Sequence, residues 1–308
     1  MKLKSILIVV VIFFLQACAV GQKRTLLKQA DRENIKSLEL YNLIIQDEVR
    51  PAVELSNVAG AGLAFGALGA LITASVDSSI NKGRSLTSQD LIEPLYNATD
   101  EIDYRKILAQ EVNASVSSIY TLKTKKDLAE SLLLSDPALK TKLAGLADGE
   151  YLLALSSFYG FMENSKTLNF ETAAMIFKKR SGDAKKSVPQ PIYFNRFNYI
   201  SKSVGNGAIS SIAEWSNNNG ELFKSMLNES AKEISHQLKY DLQNTVNLEC
   251  GKSVQVNVFG FNGVKIKTKA VLISENNARA VVRSRNDGFL YSVPEFTSIK
   301  QDSKSNCQ

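Results

Sequence analysis

Histidine occurs once in the 308 residues, tryptophan once, cysteine three times and proline six times. Each scarcity removes a class of chemistry. A Ser-His-Asp or Cys-His relay would have to run through His236, and a metal site lacks soft ligands. His236 falls on the polar side of a helical stretch with no cysteine or carboxylate at ligand spacing, which reads as a surface histidine. No Gly-Lys-Ser/Thr phosphate loop is completed, and the glycine spacing misses the dinucleotide fingerprint. Carboxylate pairs such as Asp100 and Glu101 with Asp103 exist, but 31 acidic residues guarantee such pairs by chance. The sequence therefore points away from an enzyme and calls for neither cofactor nor metal.

Long uncharged apolar runs are also few, and two of them matter. Lys2 and Lys4 precede Ser5 to Leu15, eleven residues with ten apolar side chains and no charge. At ~1.5 Å rise per residue this run is too short to cross a ~30 Å hydrocarbon core, and the small Ala17 sits where a processing enzyme cuts. It reads as a signal peptide over residues 1–17. Leu15-Gln16-Ala17-Cys18 resembles the bacterial lipobox, with Gln16 departing from the small residue most common at its position. That resemblance implies that Cys18 becomes the lipidated first residue of the mature protein, carrying palmitate-type acyl chains. More than one chain, at ~0.8 kcal/mol per buried methylene, makes a stable membrane anchor. By the same resemblance, Ala19 in place of aspartate implies the outer membrane, periplasmic side. Residues 18–32 then read as a polar tether that lets the folded part stand off the bilayer.

Removing the signal takes away two of the 37 basic residues and none of the 31 acidic ones, so the net charge falls from +6 to +4. That balance is too mild to argue for nucleic acid, to which an exported protein has little access. With Cys18 accounted for, Cys250 and Cys307 bracket the C-terminal segment. An oxidising compartment favours their pairing, which stabilises by up to ~4 kcal/mol in the entropic account; free thiols are the alternative.

The second run, Val58 to Val76, is nineteen uncharged residues holding Gly60, Gly62, Gly66 and Gly69 with Phe65. Three readings compete. It is a glycine-rich turn entering a buried helix, or an interface in which Gly62, Phe65, Gly66 and Gly69 meet an envelope protein or a second copy of the chain, or a segment that enters the bilayer. Insertion would make the protein a membrane-active or pore-forming lipoprotein. Against insertion stand the glycine count and the lack of Trp, Tyr, Lys or Arg at both ends.

Further on, Ser37 to Leu55 has a β-like pattern, while Ser88 to Tyr96, Asp103 to Ser118 and Lys123 to Leu134 read as helices, the last interrupted by Pro137. Tyr151 to Phe161 and Leu168 to Phe177 predict a hairpin turning at Asn164-Ser165-Lys166, and Ile192 to Ser201 a third strand. The basic loop Lys178 to Lys186 reads as solvated, with contact to anionic glycan or lipid phosphate as the sharper alternative. Gly220 to Val246 carries an apolar stripe from Leu222 to Leu242, with Glu229, Glu233 and Asp241 off it and Trp215 anchoring its start. In the C-terminal segment Val264 to Ala270 alternates, placing Lys265, Lys267 and Lys269 on one face, and Asn262-Gly263 and Asp287-Gly288 are turn dipeptides. Arg279, Arg283 and Arg285 read as an exposed cluster that solvates a strand face or meets an acidic partner.

The Gly-rich stretch running into Ala70 to Lys82, the later Tyr193-Phe194-Asn195 with Tyr199 and Ser201, and a Trp before a long amphipathic helix together resemble uncharacterised Gram-negative outer-membrane lipoproteins. The resemblance implies a class and a location and offers no catalytic residues. The expected architecture is α+β, with helices packed on an antiparallel or mixed sheet over residues 33–247. A small β barrel or sandwich over 248–308, closed by the disulfide, follows it. The expected function is that of a lipid-anchored, periplasm-facing structural or adapter component of the envelope, joined to the membrane by its lipid and working through protein partners or self-association.

Overall fold

The computed structural model describes residues 23–44, 49, 92–123, 136–162, 165–180, 190–244, 251–259, 265–276 and 279–299. Among them the order is α1 (Gln29–Asn34), β1 (Ser37–Ile44), a helical segment over 92–99, α2 (Tyr104–Ser117), β2 (Thr121–Leu122), α3 (Asp136–Ala144), β3 (Tyr151–Met162), β4 (Thr167–Lys178), β5 (Tyr193–Ile200), α4 (Ala208–Gln243), β6 (Ser253–Phe259), β7 (Lys265–Asn276), β8 (Arg279–Ser284), β9 (Leu290–Val293) and β10 (Thr297–Ser298). The strands form one mixed sheet in the order β10-β6-β7-β8-β9-β5-β4-β3-β1-β2. β1 is parallel to β2 and β3, and β5 is parallel to β9. The other pairings are antiparallel. The fold is mixed α/β, and strands from both sides of residue 248 share the sheet through β5 and β9.

The hairpin expected from two strands joined by a polar turn is present: Tyr151 pairs with Lys178 and Met162 with Thr167, with Ser165 in the turn at φ 67°. β4 pairs in turn with β5, from Asn169↔Ile200 to Ile176↔Tyr193. Nearly every residue of β3, β4 and β5 is buried. That pattern requires cover on both faces. On one face α2, α4 and the 92–99 segment deliver Leu95, Leu108, Val112, Phe223, Leu227, Ile234 and Leu238 onto Leu153, Leu155, Phe170 and Phe197. On the other, Leu139 and Leu143 of α3 and the valines of β6 belong to one core cluster with Leu152, Ala154, Met175 and Phe177. The C-terminal strands reach that second face because the sheet curls, bringing β6 back against β9.

Local chemistry explains the helix starts. Asp103 caps α2 by accepting the Arg105 amide at 3.0 Å. Pro137 lies in the first turn of α3, a helix over Asp136–Ala144 that the sequence reading did not include. A proline lacks only an N–H that the first turn leaves unused. The stretch 124–135, expected as a helix, lies outside the described residues. No helix among the described residues is long and apolar enough to cross a membrane.

The helix α4 begins twelve residues earlier than the pattern from Gly220 predicts, and it is broken in the middle. Asn218 (φ 49°, ψ 49°), Asn219 (φ 56°, ψ 38°) and Gly220 (φ 70°, ψ 24°) are left-handed in succession. Asparagine and glycine are the residues that tolerate this region. A Cβ at Gly220 would stand 2.5 Å from Thr99 Cγ2. Gly220→Ala is therefore expected to lower stability by about 2 kcal/mol in denaturant unfolding. Adding Thr99→Ser, which removes the clashing methyl, should recover only part of that loss, because the backbone strain stays.

Candidate functional site

Cys18, Gly62, Phe65, Gly66, Gly69, Cys250 and Cys307, the residues singled out from the sequence, all lie outside the described residues. The same holds for most of the basic loop after Lys178. His236 is exposed on α4, and among the described residues no His, Cys, Asp and Glu group has the geometry to hold a metal ion. An open depression of about 350 Å³ at the break in α4 is lined by Glu214, Asn217, Asn218, Glu221, Leu222 and Ser225. Its lining holds two carboxylates, two amides and the Ser225 hydroxyl, with no histidine or cysteine.

The concentrated chemistry lies instead between α4 and the sheet. Glu229, Glu233, Gln237 and Asp241 recur every four residues, which puts them in one row along a helix. That row faces β5, β8 and β9. Arg279 on β8 ion-pairs with Glu229 at 3.4 Å, donates to the carbonyls of Ile200 and Ser292 at 2.6 and 2.8 Å, and stacks 3.9 Å over the Tyr199 ring. Ser292 donates to Glu233 at 2.7 Å, and the Gln237 amide donates to the Asn198 carbonyl at 3.1 Å.

The row ends at Asp241, whose side chain is fully buried. Its Oδ1 accepts from Arg24 at 2.5 Å and from Arg283 at 2.7 Å; its Oδ2 accepts from the Tyr193 hydroxyl at 2.8 Å and the Asn195 amide at 2.7 Å. Four donors saturate both oxygens, which is the condition for holding a carboxylate away from water. Two guanidiniums against one carboxylate leave the cluster with a surplus positive charge. Arg24 Nε and Nη1 and Arg283 Nε find no acceptor. Burial lowers the Arg24 guanidinium from its ordinary pKa against the opposing pull of Asp241. Burial first, and then the Asp241 carboxylate, holds the Tyr193 phenol well above the usual range.

These contacts correct two expectations. Arg279 and Arg283 are buried under α4, and only Arg285 of that trio is exposed. Asp241 belongs to the buried side of α4. The alternation of β8 was the available signal: Arg279, Val281 and Arg283 share one face, and Glu229 and Asp241 in the row on α4 supply the matching charges.

The N-terminal segment is corrected as well. Residues from Arg24 onward are part of the folded body, not of a tether reaching residue 32. The Arg24 amide donates to the Asp287 carbonyl at 2.9 Å, and Thr25 exchanges amide bonds of 2.8 and 3.1 Å with Phe194 of β5. Phe194 lies at the end of β5 where β9 no longer pairs, since that pairing covers only Phe197 to Tyr199. Leu27 is buried in the core, and Arg32 donates to the Gln243 carbonyl at the end of α4. Only residues 19–22 separate Cys18 from the first described residue, Lys23. Compared with family models, curated proteins and solved structures, the chain has no significant match in any of the three.

Proposed function

We propose that the protein is an outer-membrane lipoprotein, anchored through acyl chains on Cys18 and facing the periplasm, that serves as a structural or adapter component of the envelope through protein contacts. The lipobox-like Leu15-Gln16-Ala17-Cys18 supplies the anchor. The observation that carries the reading is the adjoining Arg24, whose side chain is locked to Asp241 at the centre of the fold. A lipid on Cys18 would thus be coupled to the core by a short connection, as suits a load-bearing or scaffolding part. The Gly62, Phe65, Gly66 and Gly69 segment is the proposed contact for a partner or a second copy. A Cys250–Cys307 disulfide closes the C-terminal strands into the small barrel or sandwich expected from the sequence.

Two measurements on intact envelopes test this. Labelled fatty acid should be incorporated into the native protein and not into Cys18→Ala. Cys18→Ala secreted through an ordinary signal should appear in the soluble periplasm. Retention in carbonate-washed membranes would contradict the single anchor and favour insertion through residues 58–76. Crosslinking of the native lipoprotein should then recover a reproducible envelope partner or a homo-oligomer; failure to recover either would overturn the adapter role.

A further inference from the structure

The helix-side face of the sheet is covered by α4 over β5, β9 and β8, and among the described residues no helix covers its continuation onto β7 and β6. There Lys265, Lys267 and Lys269 are exposed on alternate positions of β7, opposite Phe259, Asn257 and Gln255 of β6. No acidic residue occurs in β6, and none in β7 before Glu275. This positive face adjoins the point where the chain leaves toward Cys18. Arg24 is bonded to Asp287 in the β8–β9 turn, and Gly288 of that turn lies against the Arg24 side chain. In the same turn Arg285 donates its amide to the Lys269 carbonyl and its guanidinium to Ser253 Oγ, at 3.0 Å each. The exit residue Lys23 and the β7 lysines are therefore separated by a single turn.

Reach completes the argument. Five residue steps from Cys18 to Lys23 span at most about 18 Å, and Lys265 lies about 13 Å along the strand from Lys269. A body held by so short a connection rests against the lipid surface with the sides of its exit point. We propose that the face formed by Lys23, Arg285, Lys269, Lys267 and Lys265 docks on anionic phospholipid headgroups of the leaflet that holds the anchor. The docking rests on the Cys18 anchor for its geometry, and its chemistry is that of a basic surface meeting lipid phosphate.

The lipidated protein is reconstituted in vesicles of neutral phosphatidylcholine, or of the same lipid with 30% phosphatidylglycerol, and its lysines are acylated with a water-soluble reagent. With the anionic lipid, Lys265, Lys267 and Lys269 should react about five times more slowly than in detergent, and 0.5 M salt should restore their rate. Lys232, exposed on α4, is the internal control and should not change. Equal rates for the β7 lysines in anionic vesicles and detergent would overturn the docking. If the protein floats with vesicles of neither composition, the anchor itself has failed. A second arm is independent of the anchor. Mature Cys18→Ala protein should bind phosphatidylglycerol vesicles, and a Lys265→Gln, Lys267→Gln, Lys269→Gln variant should bind about a hundredfold more weakly, roughly fivefold per lysine. An unchanged affinity in that variant, with its unfolding transition intact, would also overturn it.

Discussion

Asp241→Ala is expected to lower folding stability by about 3–5 kcal/mol, because it leaves the guanidiniums of Arg24 and Arg283 buried against each other with no counter-charge. The loss comes from stranding two cations, more than from deleting an attraction. A second variant separates these causes. Replacing the whole cluster with apolar groups, as Arg24→Met, Arg283→Met and Asp241→Leu together, should recover much of the stability lost in Asp241→Ala, since no buried charge then lacks a partner. Denaturant titration of the purified proteins measures both. If the triple variant were less stable than Asp241→Ala by several kcal/mol, the charge-stranding explanation would fail.

Trp215→Ala should cost a similar amount, about 3–5 kcal/mol. Trp215 is fully buried, with its ring 5.7 Å from Phe161 and 6.4 Å from Phe223 between centroids. Its indole N–H donates to the Ser165 carbonyl at 2.9 Å, so it also pins the turn of the β3–β4 hairpin. Alanine leaves a cavity and a buried carbonyl without its donor. Trp215→Phe keeps most of the packing and loses the hydrogen bond, and should cost about 1–2 kcal/mol. Thermal unfolding should place the three proteins in that order. A Trp215→Phe variant as unstable as Trp215→Ala would mean that the hydrogen bond to the turn dominates the packing.

The parts of the fold legible in the sequence are those where local and tertiary preferences agree. The β3–β4 hairpin announced itself by two apolar runs around a polar turn, and α2 by Asp103 and the spacing of Leu108 and Val112. His236 is exposed on a polar helix face, as its neighbours suggested. The expectations that failed concern charge. Arg279, Arg283 and Asp241 read as solvent-seeking residues taken one at a time; burial becomes affordable only because helix and strand rows meet in register across more than thirty residues of sequence. Arg24 and Thr25 were assigned to a tether because a short polar segment has no periodicity of its own. Its partner, the first residues of β5 left unpaired by β9, is visible only after the sheet is assembled. The site residues read from the sequence, from Cys18 to Cys307, belong to stretches outside the described residues, so the structure bears on them through the neighbouring positions Lys23 and Arg24.

The central claim is that the segment next to Cys18 is built into the core. Hydrogen exchange of the mature lipoprotein tests it at the amides of Arg24 and Thr25, which donate to Asp287 and Phe194. These two amides should exchange about as slowly as those of the adjoining β5 strand, and Asp241→Asn should speed them by more than tenfold relative to amides of β3. Exchange of Arg24 and Thr25 at the rate of an unstructured peptide in the native protein would contradict the account.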